Sequence, residues 1–483
     1  MELIFEKSVE GRRGFLNPCL DVDVKASIPS HLKRAKDCQF PQVSELDVVR
    51  HFTNLSKMNY SVDANFYPLG SCTMKYNPRF TESIACMKGF TDVHPLLPQL
   101  KKGELLTQGS LEVLYEMDRL LCEITAMDSF TMQPLAGAHG ELTGLMMMAA
   151  YHKAKGNNKK YIIVPDSSHG TNPATAAIAG YEIISINSDK TGVMDIEELK
   201  SKLSDEVAGL MLTCPNTHGI FNSDIKKISE MIHAVDGLMY YDGANLNAVL
   251  GRCRPGDIGF DVMHVNLHKT FATPHGGGGP GSGPVGVNKK LIPFLPISRV
   301  IKNSSGKYEL DYDYPESIGY VASFYGNFSI ILRAYAYILY LGKQGLIETS
   351  NNAVLNANYL KERLKERFEL AYDRICMHES VFSASRQVEN GVHATDIAKF
   401  LIDKGCHPPT IYFPLTVKEA IMIEPTETES KKAMDEFVDA MFEADDLSRK
   451  NPKEFADLPK TTPVSRPDEV KAARELNANY FAE

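Results

Sequence analysis

The chain has 483 residues, 43% hydrophobic and 23% charged, ordinary globular composition with length enough to bury a large core; at about 150 residues per domain it predicts roughly three domains, or two if one is a large α/β unit. A net charge of −9, from 52 basic and 61 acidic residues, argues against nucleic acid as the main partner. Nine cysteines, an odd number with no C-x-x-C pair, give neither a disulfide framework nor a zinc site, no apolar run approaches the ~18 residues of a membrane span, and the acidic N-terminus lacks a signal-peptide core, so a cytoplasmic protein without a membrane partner is expected.

Residues 1–80 read as irregular. Pro18, Pro29, Pro41, Pro68 and Pro78 punctuate them, leaving room for a helix only around Ser44–Lys57. Such a segment is expected to wrap around a partner or another domain. From Ser110 to Ile124, Leu114, Met117, Leu121 and Ile124 fall three and four apart, one face of a helix. Residues 134–144 then form a glycine-bearing turn that opens into the apolar helix beginning Leu145-Met-Met-Met-Ala-Ala150.

Strands and helices alternate next. Apolar runs at Tyr161–Val164, Tyr181–Ile186, Ala208–Leu212, Leu238–Tyr241, Val262–Val265 and Pro284–Val287 read as strands. Asp195 is the expected N-cap of a helix Ile196–Leu203. The alternation predicts a mostly parallel sheet flanked by helices. Residues 81–330 are assigned to this large α/β domain. Helices at Phe328–Leu341 and Asn351–Phe368 open a smaller α+β domain, residues 331–450. Asp396–Leu401 is a helix within it, with Gly405 as its stop. Residues 451–483 read as an extended tail.

Chemistry-bearing residues follow the predicted strand ends, where open α/β sheets bind ligands. His169 follows 161–164, Asn216, Thr217 and His218 follow 208–212, Asp242 follows 238–241, and Lys269 follows 262–265. A lysine at the end of a buried strand costs desolvation energy. An amine taken out of water loses its proton more readily and becomes a nucleophile toward carbonyls. Pyridoxal phosphate, held by Lys269 as a Schiff base, is the expected carbonyl. Asp242 reads either as a turn cap in Asp-Gly or as the carboxylate that keeps a pyridine nitrogen protonated. Its spacing from Lys269 favours the second reading. His169 reads either as a turn residue or as a ring stacked on the cofactor. Ala136, Gly137 and Ala138, at a helix start, offer backbone N–H groups to a phosphate. Thr270 is placed to give its hydroxyl to the same phosphate. The glycine run 276–279 lets backbone approach a ligand or makes a loop; without Gly-Lys-Ser/Thr it is not a P-loop. Cys72 reads as a packed small residue or a reactive thiol. Arg333 and Arg386 are candidates for a substrate carboxylate by charge alone.

The stretches Phe66-Tyr-Pro-Leu-Gly-Ser-Cys-Thr-Met-Lys75, Gln133-Pro-Leu-Ala-Gly-Ala-His-Gly-Glu141, Ser168-His-Gly-Thr-Asn-Pro-Ala174, Asp242-Gly-Ala-Asn245, Cys253-Arg-Pro-Gly-Asp257, His264-Val-Asn-Leu-His-Lys-Thr-Phe271, His275-Gly-Gly-Gly-Gly-Pro-Gly281 and Glu424-Pro-Thr-Glu427 closely resemble the P-protein family of the glycine cleavage system, specifically subunit 2 of its two-subunit form. The resemblance implies fold type I, the aspartate aminotransferase-like architecture of pyridoxal-phosphate enzymes. It assigns the covalent cofactor to Lys269, the pyridinium partner to Asp242 and the stacking position to His169, with Asn245 and Thr217 also at the cofactor. It implies decarboxylation of glycine and transfer of the aminomethyl group to the lipoyl arm of the H-protein. The lipoyl disulfide is reduced in that step, so the enzyme is an oxidoreductase. A separate subunit 1 is the implied partner, in a heterodimer or a pair of them. Single-chain members often read Asn-Ser-Gly-Ala-Gln-Gly-Glu where this chain has Leu135-Ala-Gly-Ala-His-Gly-Glu141, which moves phosphate contacts here toward backbone. The competing readings are another fold type I enzyme, such as an aminotransferase, a cysteine desulfurase or a threonine-aldolase type, and a non-catalytic scaffold subunit.

Overall fold

The inner strands of the central sheet are apolar on both faces, as a sheet covered by helices on each side requires. The computed structural model describes residues 2–22, 28–36, 38–274, 276, 279 and 281–481. Seven strands form the large sheet: β1 (Ser129–Thr131), β2 (Tyr161–Pro165), β3 (Glu182–Ile186), β4 (Val207–Thr213), β5 (Leu238–Gly243), β6 (Val262–Val265) and β7 (Val285–Val287). Their order is β1-β7-β6-β5-β4-β2-β3. From β3 to β6 every pairing is parallel, while β7 runs antiparallel to both β6 and β1.

Side chains alternate across this sheet with the period of two that a strand imposes. Leu210, Leu212, Met239, Tyr241, Met263 and Val265 enter one apolar cluster. Ala208, Met211, Leu238, Tyr240 and Val262 enter another, with Leu145, Met147 and Met148 of the helix Gly137–Ala154. By the same parity Asp242 and His264 lie on the face of that helix, opposite each other in register. Two turns past β4 and β6 are thereby brought to one sheet edge.

A two-stranded ribbon, β8 (Arg299–Lys302) and β9 (Tyr308–Asp311), follows. The next helix spans Phe328–Leu364 but breaks at Gly342, whose φ of 60° and ψ of −174° leave helical space. Helix resumes at once rather than at Asn351, because Leu346, Thr349, Ser350 and Ala353 are all buried there. A second sheet, ordered β10 (Glu369–Leu370), β11 (Ser380–Ser383), β13 (Ala420–Ile423), β12 (Thr410–Ile411), is wholly antiparallel. Phe382, Ile421 and Ile423 pack with Phe437 and Met441 of the helix Lys431–Lys450 and Leu401 of the helix Ala394–Asp403.

By backbone contacts Val62–Leu458 form one compact unit, and Met1–Ser61 with Pro459–Glu483 form another. In the second, the helix Glu45–Ser56 starts in a capping box of Ser44 and Asp47, and the rings of Phe5 and Tyr480 stack at 4.5 Å. The residues after Asn451 differ from the extended tail expected. A 3-10 turn, Pro452–Asp457, buries Phe455, and Asp468 caps a short helix, Glu469–Arg474. Among the described residues no helix is long and apolar enough to cross a membrane.

Candidate active site

A cavity of about 460 Å³ opens beyond the carboxyl ends of β2, β4, β5 and β6. Lys269 reaches it from the single helical turn Leu267–Thr270, directly after β6. Its Nζ is half-buried and donates to the carbonyl of Ser71 at 2.6 Å. That turn is pinned from the side away from the cavity. Lys75 Nζ, itself buried, donates to the carbonyl of Thr270 at 2.7 Å and pairs with Glu427 at 2.6 Å. Thr270 is fully buried and does not line the cavity; its hydroxyl accepts from Leu246 N at 2.8 Å. The expected contact between that hydroxyl and a phosphate therefore has no support, because the turn directs it at backbone.

Asp242 ends β5 with its carboxylate buried, 4% exposed. It accepts from Asn172 Nδ2 at 3.0 Å and Ala244 N at 3.1 Å, and His264 Nε2 lies 3.4 Å away. Burial pushes its pKa up, but His264, Asn172, Ala244 N–H and Lys269 together outweigh burial and hold the carboxyl below its usual range. Burial also disfavours the imidazolium of His264, so we read the 3.4 Å approach as a long polar contact and not a full ion pair. The same Asn172 amide reaches Glu141 Oε2 at 3.1 Å. Glu141 also accepts from Thr171 and Thr175 hydroxyls at 2.8 and 3.3 Å. Burial, then the charge of Asp242, pushes Glu141 up to about 7. The two carboxyls thus divide roles: one stays ionised, the other holds a proton near neutrality.

The helix Gly137–Ala154 begins at the cavity wall. Ala136 is its N-cap, without a side-chain cap, and its first turn carries no acid. The first N–H groups of a helix lack intrahelical partners and attract anions. A Cβ on Gly137 would stand 2.4 Å from Asn266 Oδ1, so any larger residue would have to displace the Asn266 side chain. Ala136, Gly137, Ala138 and Asn266 all line the cavity. Asn266 Oδ1 is buried without a hydrogen-bond partner.

His169 lines the mouth, its Nδ1 2.8 Å from Thr171 Oγ1 and its ring edge-on to Phe413 at 5.8 Å. The residue keeps solvent exposure, yet the walls desolvate its ring enough to lower its pKa. Thr217 lines the cavity, its hydroxyl donating to Ser167 O at 2.5 Å. Asn245 lines it as well, donating to Thr73 Oγ1 at 2.5 Å and Glu424 Oε1 at 2.8 Å. Asn216 and His218 turn elsewhere, to Gly192 O and the Thr416 hydroxyl. Arg333 is held by Glu82 through two contacts of 2.8 and 2.7 Å, and Arg386 donates to Glu366 O. Neither lines the cavity. Of the glycine run, Gly277 and Gly278 lie outside the described residues.

Sequence reasoning quoted the stretches 66–75 and 424–427 and weighed Cys72, but it gave Ser71, Thr73 and Glu424 no role here and missed Glu379. Ser71 and Thr73 both have left-handed backbone, φ 66° and 53°, a conformation costly for residues with a Cβ and held only by its surroundings. Ser71 N donates to Glu379 Oε2 at 2.9 Å; Thr73 donates through N and Oγ1 to Glu424 at 3.1 and 2.7 Å. Cys72, between them, lines the cavity with a thiol pushed up mainly by burial.

The model of the glycine cleavage system P-protein family matches residues 18–308, and that of the glycine dehydrogenase C-terminal domain matches 349–455. A probable glycine dehydrogenase (decarboxylating) subunit 2 of Caldanaerobacter subterraneus subsp. tengcongensis is 55% identical over 98% of this chain and 97% of its own. The protein of the same description from Bacillus velezensis is 54% identical over 99% of this chain and 97% of its own. Among solved structures, an inhibitor-bound glycine decarboxylase (P-protein) of the glycine cleavage system superposes with a TM-score of 0.71 at 18% identity, covering 86% of this chain and 93% of that one. A glutamate decarboxylase of Lactobacillus brevis superposes at 0.66 and 14% identity, covering 88% and 96%.

Proposed function

Since the chain belongs to the glycine cleavage system P-protein family, with the fold type I architecture of pyridoxal-phosphate enzymes, we propose that it is subunit 2 of a two-chain glycine dehydrogenase, carrying its cofactor covalently on Lys269, releasing CO2 from glycine and passing the aminomethyl group to the lipoyl arm of an H-protein. One observation carries this reading: Lys269, the ionised Asp242 and an uncapped helix N-terminus share one cavity.

The residues fit pyridoxal phosphate. The helix start at Gly137 leaves backbone donors for a phosphate, Asn266 Oδ1 has no partner among the described residues, and Asp242 would offer a buried carboxylate to a cationic nitrogen. The cofactor, when bound, supplies the sink for the electron pair left behind as CO2 departs. Asp242 stabilises positive charge on a neighbouring ring nitrogen, and Asn172 holds its carboxylate in place. The Lys269 amine provides the covalent anchor. His169 covers the open side of the site, and its lowered pKa keeps the ring neutral and able to pack face-on. Glycine is the substrate, and subunit 1, implied by the description of the relatives as subunit 2, is the partner.

The test is co-purification with subunit 1, followed by exchange of glycine carboxyl with bicarbonate, with and without lipoylated H-protein. Carrier-dependent exchange is expected, together with a borohydride-fixed cofactor on the peptide containing Lys269. Absence of exchange in the reconstituted complex overturns the reading.

A further inference from the structure

The register of the second sheet places two carboxyl groups face to face, one of them, Glu379, lining the cavity. Ser380 of β11 pairs with Ile423 of β13, so the residues one step beyond, Glu379 and Glu424, meet across the strands. Directly opposed side chains in an antiparallel pair are close neighbours. Oxygens of the two carboxyls and a nitrogen of His378 lie within 4.8 Å of one another. Glu379 is 3% exposed and Glu424 0%. Two like charges so close in a dry site are not both ionised.

The hydrogen bonds distinguish the two carboxyls. Three donors converge on Glu424: Thr73 N, Thr73 Oγ1 and Asn245 Nδ2. Glu379 receives Ser71 N on Oε2, while its Oε1 faces His378 Nε2 at 3.5 Å. That contact has the form of an ion pair, but burial disfavours the charged form of both partners, and we read it as neutral. The groups that face Glu379 are Glu424 from β13, His378 beside it, Lys269 from the turn after β6 and Cys72 from the segment below. Burial and then Glu424 push its carboxyl well above the ordinary range; the Ser71 N–H and then Lys269 oppose them more weakly. With Oε2 accepting from Ser71 N, Oε1 is the oxygen left for a proton. Glu379 lines the cavity with Lys269 and Cys72, and residue Ser71 joins the two ends, its N–H on Glu379 and its carbonyl on Lys269.

We propose that Glu379 is the proton donor of the transfer step, giving the proton on Oε1 to the sulfur that leaves when the carrier disulfide opens. The proposal rests on the function read above. CO2 departs without its bonding electrons. Those electrons form the new bond from the aminomethyl carbon to one sulfur, and the S–S bond breaks. The departing sulfur takes the S–S electron pair and the proton from Glu379, becoming a thiol; the disulfide is reduced, the carbon is oxidised, and Glu379 is left as a carboxylate until solvent reprotonates it. An ordinary carboxyl would already be ionised at neutral pH and have no proton to give. A carboxyl held well above its ordinary range keeps a proton to give where the departing sulfur needs one.

The test has a readout independent of turnover. Infrared spectra of the cofactor-loaded complex are recorded at neutral pH for the wild type and for Glu379→Gln, so that the bands of Glu141 and Glu429, with values near 7, cancel in the difference. A protonated-carboxyl C=O band that shifts in D2O and is lost in Glu379→Gln is expected. The same variant should keep its cofactor absorbance and lose about 10²- to 10⁴-fold in carrier-dependent exchange, the size of a general-acid contribution. In Glu424→Gln the like charge is gone, so the carboxyl of Glu379 ionises at lower pH and the alkaline limb of the exchange profile moves down. No such band in the wild type, unchanged exchange in Glu379→Gln, or a stoichiometric metal ion in elemental analysis each overturns the proposal. An inactive wild-type complex that still shows the band marks failure of the functional reading, and of the donor role with it.

Discussion

The side-chain nitrogen of Lys269 lies 2.6 Å from the carbonyl oxygen of Ser71. The amine thus rests against a left-handed residue and lines the cavity. Lys269→Ala removes the anchor. Its expected phenotype is complete loss of borohydride-fixed cofactor and of glycine-dependent exchange, read by absorbance and peptide mass. A fixed cofactor on any other lysine would refute the assignment.

Asp242→Asn keeps the shape of the side chain and removes its charge. The cofactor should still bind, since the anchor and the helix N-terminus are untouched. Unpairing a buried charge costs about 3–5 kcal/mol, and if all of it falls on the transition state, exchange drops roughly 10²- to 10⁴-fold. Wild-type turnover by this variant rules out the role given to the carboxylate.

Glu141 sets a pH dependence of stability in the protein without cofactor. Its folded value, about 7, lies above the 4.5 of the free side chain, so between those values the folded state binds more protons than the unfolded one. Stability should therefore fall as pH rises from about 4.5 to about 7 and level off above, by at most about 3 kcal/mol. Glu141→Gln should flatten that slope in denaturant titrations. An equal slope in both proteins places the titrating group elsewhere.

Gly137→Ala introduces a methyl 2.4 Å from Asn266 Oδ1. Overpacking of this kind costs about 1–3 kcal/mol, and here it falls on the proposed phosphate site. Affinity for pyridoxal phosphate should weaken about 5- to 150-fold, measured by titrating the cofactor-free protein. Gly89→Ala, with open space around its Cβ, should bind as the wild type does.

The parallel core was legible because its strands are unbroken apolar runs between helical spacings, and because ligands gather at strand ends. Asp242 and Lys269 follow from that logic alone, and both line the cavity. β1, Ser129–Thr131, escaped notice: three residues are too few to show a period, and its partner β7 lies far along the chain. Thr270 was misplaced because the direction of a hydroxyl depends on the turn that carries it. Arg333 was a candidate by charge until its pairing with Glu82 was visible. Glu379 and Glu424 give no local signal, since their meeting depends on the register of β11 against β13.

Thr73 and its acceptor Glu424 are 351 positions apart in the chain. At about 5–20 residues per second a ribosome needs roughly 20–70 seconds to travel that distance. Until Glu424 is made, the segment beneath Lys269 can meet Asn245 and Lys269 but lacks its bonds to Glu424. A fragment truncated before residue 424 would therefore carry Lys269 with that side of the pocket unfinished.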